Sequence, residues 1–219
     1  WVREAVSRAD RAPDDLSFYE RFSYQAVSPE GPDYPALSAR LRDLEHRFDL
    51  PGNRVFYLAL PPQALPAALD GLGASGLNRG PGWTRLVVEK PFGTDLPSAR
   101  SLNSLVHRHF EESQVYRIDH YLGKETVQNL LAFRFANPMF EAVWNRDHIE
   151  QVEILVAEDL GIGTRARYYE TAGALRDMVQ NHLTQLLALV AMEPPSEFEA
   201  ERVRNEKVKV IEAIAPLRP

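Results

Sequence analysis

Nine consecutive residues near the middle of the chain, Arg117-Ile118-Asp119-His120-Tyr121-Leu122-Gly123-Lys124-Glu125, carry chemistry rather than core. Only Ile118 and Leu122 are aliphatic, so the run makes a poor strand and a poor core helix. It closes a short apolar run, Val115 to Ile118, and opens a helix-like segment, so a strand's carboxyl end hands over to a helix amino end. Unpaired backbone N–H groups and the helix dipole both favour an anion there. His120, Tyr121 and Lys124 add donors suited to phosphate oxygens, and Gly123 permits close backbone approach.

Proton chemistry points elsewhere. A helical pattern from about Thr171 to Met192 places Leu175, Val179, Leu186 and Val190 on one stripe, and His182 falls on the same stripe. A ring nitrogen left unpaired on a buried stripe costs roughly 1–3 kcal/mol, so His182 needs a partner. Taken alone it reads as a satisfied core histidine, although its titration range also suits a general base. Glu89-Lys90-Pro91-Phe92-Gly93 ends a strand and enters a turn. Glu158 at a strand end and Asp177 in the long helix read as ordinary acids. His107 and His109 are two apart on a helix and face opposite sides, His46 and His148 have no evident partner, and no metal site is expected.

Arg117 to Glu125 as a whole resembles the signature of the glucose-6-phosphate dehydrogenase family. The segments Tyr57-Leu58-Ala59-Leu60-Pro61-Pro62, Glu89 to Gly93, Asp177 to His182 and Val203 to Val210 are similar to that family too. The resemblance implies that His182 is the general base and Asp119 its orienting carboxylate. It implies that His120, Tyr121 and Lys124 hold the sugar phosphate, and that Glu158 and Asp177 bind sugar hydroxyls. Lys90 would reach both substrate and cofactor, beside a cis Pro91. The implied reaction oxidises glucose 6-phosphate to 6-phosphogluconolactone with hydride transfer to NADP, at the entry to the pentose phosphate pathway. Glu-Lys-Pro also occurs in other sugar oxidoreductases, so His120 and Lys124 carry the phosphate assignment.

The elements that must position these residues read in order as helices over 1–12 and 14–24, the second capped at Asp14 or Asp15, and a helix over 33–48 capped by Asp33. Its face is Leu37, Leu41, Leu44 and Phe48. Strand 55–60, helix 64–69, strand 85–89, helix 97–110 and strand 115–118 follow, a pattern for a partial doubly wound, Rossmann-type parallel sheet. Gly71-Leu72-Gly73-Ala74-Ser75-Gly76 has the letters of a dinucleotide fingerprint, but it follows a helix and reads as a helix stop. Beyond come helix 125–135, strand 151–157 with Val152, Ile154 and Val156 on one face, a polar loop over 158–165, the long helix, and a charged helix over 199–214. The expected division is 1–118, the later part of a cofactor domain, and 119–219, the start of an α+β substrate domain.

The composition bounds the alternatives. With 219 residues, 44% apolar and 26% charged, the chain fits a globular protein, and a net charge of −6 argues against general nucleic-acid or membrane-surface binding. The absence of cysteine excludes disulfides and thiol catalysis. A cytoplasmic location and a homo-oligomer when full length are the expectations. The chain opens on Trp1-Val2-Arg3 and looks cut: the family's Gly-rich phosphate turn would precede Trp1 and much of a large sheet would follow Pro219. These residues alone are therefore expected to be inactive. Two rival readings stand beside this one, a dehydrogenase of an unphosphorylated sugar and a non-catalytic sugar-phosphate-binding or assembly module.

Overall fold

The computed structural model describes residues 16–215 apart from positions 29, 32, 158–160, 162, 164 and 165. The helix expected over 1–12 and the Asp14 or Asp15 cap lie outside the described residues. Helix α1, Leu16–Glu20, ends four residues before the expected 24. Helix α2 spans Tyr34–Arg47 with Pro35 in its first turn, and Leu37, Leu41, Leu44 and Phe48 are all partly buried. Asp33 sits at its N-cap position without making a side-chain cap; its carboxylate instead accepts the Ser28 N–H at 3.0 Å.

Strands β1, Arg54–Leu58, β2, Thr84–Glu89, and β3, Val115–Ile118, form a three-stranded sheet in the order β1-β2-β3. β1 and β2 are parallel, with Val55 opposite Arg85 and Tyr57 opposite Val87. Alternation along β2 buries Thr84, Leu86 and Val88. Helices α3, Leu65–Ala74, and α4, Leu96–His109, pack on each other and bury Leu65, Ala68, Leu69, Leu72 and Val106. Sequence alone stops α3 at Leu69, but it runs to Ala74, straight through the first glycines of the fingerprint-like run. Gly71 is required there by packing, since a Cβ would lie 2.2 Å from the buried Tyr34 ring. The chain then turns at Gly76, where φ is +70°. The run is a helix end, as its context predicts.

After β3 a 3₁₀ turn, His120–Gly123, leads into α5, Glu125–Phe135, and α6, Pro138–Glu141. The expected strand over 151–157 does not form: no ladder includes it, and Leu155 is 84% exposed. Alternating apolar residues make a strand only beside a partner that takes up the backbone groups, and none lies there among the described residues. The expected single helix over 171–192 is three segments. Helix α7, Ala166–Ala174, is interrupted at Gly173, with φ at 63°. A π-helical stretch, Leu175–Leu183, follows, then α8, Thr184–Ala191. Helix α9 spans Ala200–Ala213. Val127, Leu189 and Met192 form a buried cluster onto which Leu130, Leu186, Val203 and Val210 pack.

By their contacts the residues fall into two compact units, one comprising the chain to Val88 with Leu96–Tyr116, the other Glu89–Asp95 with Arg117 onward. In the second unit the buried Arg134 of α5 donates to the carbonyls of Leu189 at 2.6 Å and Met192 at 2.8 Å, closing the carboxyl end of α8. Arg134→Leu leaves both carbonyls without that donor. It is expected to cost about 2–4 kcal/mol in urea unfolding of the full-length protein. A loss below about 0.5 kcal/mol would show that the cap contributes nothing.

Candidate functional site

The π-helical stretch decides what the second unit can do. Five residues apart on an α-helix, Asp177 and His182 would diverge by about 140°. With i to i+5 spacing they come to one face, and both are buried, His182 with no exposed surface. The side chains follow the same spacing: Asn181 Nδ2 donates to the Arg176 carbonyl and Thr184 Oγ1 to the Val179 carbonyl. The stripe expected from α-helical periodicity is correspondingly displaced. His182 is buried, but Leu175 is 67% exposed and Val179 is 41% exposed. Such stretches cost regular hydrogen bonding and recur at functional sites.

His182 Nδ1 lies 2.6 Å from Asp119 Oδ1. A carboxylate only accepts, so Nδ1 carries the proton and the Nε2 lone pair is left as the acceptor. Asp119 is fixed in turn by accepting the Tyr121 N–H at 3.0 Å, which caps the 3₁₀ turn directly after β3. The expected handover from strand to helix is present, with this turn inserted before α5 begins.

Lys90 lies beside a cis Lys90–Pro91 peptide bond, and its ammonium donates to His182 Nε2 at 2.6 Å. It also donates to the Asp177 carbonyl at 3.0 Å and the Asp177 carboxylate at 3.1 Å. Asp177 accepts further from the Tyr168 hydroxyl at 3.4 Å. The acceptor nitrogen of the histidine is thus occupied by a cation. Burial pulls the His182 pKa below the ordinary histidine value; Asp119 opposes this, while Lys90 and His120 reinforce it.

Two rings enclose the imidazole. Tyr121, itself buried, stacks on His182 at 4.2 Å and 18°, and the exposed His120 meets it edge-on at 4.5 Å. Lys124 is exposed, with its ammonium 3.6 Å over the Tyr121 ring. Asp119, His120 and His182 could converge on a metal ion. Yet His182 already donates to Asp119 and accepts from a cation, an electrostatic setting hostile to a second cation. Glu158 lies outside the described residues. Beside Lys90 and Pro91 is a pocket of ≈ 280 Å³ that Tyr168, Arg176 and Gln180 also line.

Among the other histidines, His107 contacts Glu112 at 3.2 Å, His109 contacts Asp70 at 2.7 Å, and His148 contacts Asn145 at 2.9 Å. Sequence reasoning missed two residues near the site. Tyr168 precedes the helix interruption, and no periodicity leads from it to Asp177. Lys207 is half-buried on α9, midway along the Val203 to Val210 stripe, a position that could have flagged it. Burial lowers the Lys207 pKa, and the Asp119 carboxylate acts against that.

Comparison with known proteins agrees along the whole chain. Residues 2–129 match the NAD-binding domain of glucose-6-phosphate dehydrogenase and residues 131–219 its C-terminal domain. Glucose-6-phosphate 1-dehydrogenase of Bacillus subtilis is 48% identical over 96% of this chain and 43% of its own length. A second such enzyme of Mycobacterium tuberculosis is 50% identical over 85% of this chain and 37% of its own length. A solved glucose-6-phosphate dehydrogenase in complex with glucose 6-phosphate superposes with a TM-score of 0.82 at 40% identity, over 90% of this chain and 41% of that one. The Mycobacterium avium enzyme gives a TM-score of 0.77 at 36% identity, over 96% of this chain and 45% of its own. The chain spans less than half the length of these relatives, and it belongs to the glucose-6-phosphate dehydrogenase family.

Proposed function

We propose that the full-length protein carrying this chain oxidises glucose 6-phosphate to 6-phosphogluconolactone, with NADP as hydride acceptor, in the cytoplasm and as a homo-oligomer. The observation that supports this most is the arrangement on His182, with Asp119 on Nδ1 and Lys90 on Nε2. It makes one nitrogen an oriented proton acceptor, as an alcohol oxidation requires.

The sugar's anomeric hydroxyl takes the place of Lys90 Nζ at Nε2 and gives up its proton there. Asp119 holds the tautomer and stabilises the imidazolium that forms. Lys90, still beside Asp177, steadies the oxygen as negative charge develops on it. The phosphate is held by His120, Tyr121 and Lys124, and Asp177 is available to a sugar hydroxyl. Glu158 is assigned a similar contact by the family resemblance alone.

A nicotinamide cofactor fits the donor set at one end. The ≈ 280 Å³ pocket bounded by Lys90 and Pro91 suits a nicotinamide ring and not a whole dinucleotide. When bound, the cofactor supplies the hydride acceptor. The choice of NADP over NAD is inferred from the family.

Three outcomes are expected in the full-length protein. His182→Asn lowers kcat by about 10²–10⁴ and leaves the KM for glucose 6-phosphate nearly unchanged, since a base acts mainly in the transition state. Retention of most of the kcat would remove His182 from the chemistry. Lys124→Ala raises the KM for glucose 6-phosphate roughly ten- to a hundredfold and causes no loss with glucose, which has no phosphate to hold. Equal damage with both sugars would assign Lys124 to the fold. The third concerns pH. Because the folded-state pKa of His182 is lowered, neutral imidazole is available at and below the ordinary histidine value of about 6.5. The acid limb of kcat/KM therefore falls below that pH. The same shift means that the unfolded chain binds more protons in this window. Its stability contribution is complete above about pH 6.5 and declines as pH falls through the window toward the folded pKa. A limb above pH 7 would contradict the burial argument.

A further inference from the structure

The tyrosine stacked on His182 also has a cation against it. His182 lies on one face of the Tyr121 ring at 4.2 Å, and the Lys124 ammonium lies 3.6 Å from the same ring's centre. The phosphate-type donor and the proton acceptor thus both lie against one ring. The ring is 3% exposed, which leaves little water to screen what passes through it. From β3 and its turn, Asp119 and His120 also face the imidazole; from the cis turn, Lys90 does so. Lys207 of α9 acts on Asp119. Asp177 approaches through Lys90. None of these groups touches the sixth, Lys124, in the described contacts.

We propose that the Tyr121 ring is a positioning element that transmits phosphate capture at Lys124 to the proton-accepting nitrogen of His182. An aromatic face attracts a cation on either side, but two cations across one ring compete. While Lys124 rests on the ring, proton uptake by His182 brings a second positive charge against the same ring. A phosphate dianion draws Lys124 into an ion pair and cancels its charge. The ring is then free to stabilise the imidazolium, and His182 becomes a stronger base once a phosphorylated substrate is in place. An unphosphorylated sugar leaves Lys124 on the ring and meets the weaker base. Selectivity for a sugar phosphate thereby enters turnover as well as binding. The inference rests on the proposed sugar-phosphate reading of the site.

The test is an NMR titration of the His182 imidazole in the full-length protein, with and without inorganic phosphate, alongside turnover of glucose 6-phosphate. Phosphate is expected to raise the titration midpoint of the native protein by about half a pH unit or more, the scale of one screened charge at this range. Lys124→Met, a change at an exposed position, is expected to titrate higher than the native protein without phosphate and to ignore its addition. Tyr121→Phe loses the hydroxyl offered to phosphate but keeps the ring, and at saturating phosphate it is expected to keep the response. Tyr121→Leu, also at saturating phosphate, is expected to lose at least half of it. An unmoved native midpoint, or an equal response in Tyr121→Leu and the native protein, would overturn the coupling. If the native protein turns over glucose 6-phosphate while the midpoint stays fixed, the coupling alone fails. If it turns over no glucose 6-phosphate, the functional reading fails and the coupling fails with it.

Discussion

The 2.6 Å hydrogen bond between Asp119 and His182 is the constraint on which the rest of the site depends. A histidine with no exposed surface has no water on either nitrogen, so both must be answered by the protein. Asp119 answers Nδ1 because β3 ends one residue before it and its carboxylate caps the next turn. Lys90 answers Nε2 because the turn after β2 carries its side chain toward Asp177. His182 reaches both only because the helix around it is wound with one extra residue per repeat. Regular α-helix here would send Asp177 and His182 to different faces and leave Lys90 with one of them at most.

How much of this was legible in the sequence follows from where the information resides. The run Arg117 to Glu125 was readable because strand end, cap and turn are local properties, set by residues within four or five positions. Helices α2, α4, α5 and α9 were placed to within one or two residues for the same reason. The strand expected over 151–157 failed because alternation records a tendency to pair, and pairing depends on another segment. The stripe through Leu175 and Val179 failed because a periodicity argument assumes 3.6 residues per turn, and the π-helical stretch changes the phase. Helix α3 ran past Leu69 because glycine costs a helix only about 1 kcal/mol, and Gly71 leaves room for the Tyr34 ring against the helix.

The pairing of Asp119 with His182 belongs to a different category. The chemistry of each was visible in its residue type, but 63 residues separate them and no local signal links the two. Resemblance supplied the pairing, and the folded chain brings the groups together. Asp119, His120, Tyr121, Lys90, Asp177 and His182 all lie within one compact unit. The geometry around His182 is therefore set by packing inside that unit. Val127, Leu189 and Met192, with Val203 and Val210 against them, supply the apolar support.

The central claim is that buried His182 is neutral, with its proton on Nδ1 toward Asp119 and its lone pair on Nε2. The ¹⁵N chemical shifts of the His182 ring, recorded on the full-length protein at neutral pH without ligand, report this directly. The account predicts a protonated Nδ1 and an unprotonated Nε2. A ring protonated on Nε2 alone, or on both nitrogens, would contradict it, because Nε2 would then have no lone pair with which to accept a proton.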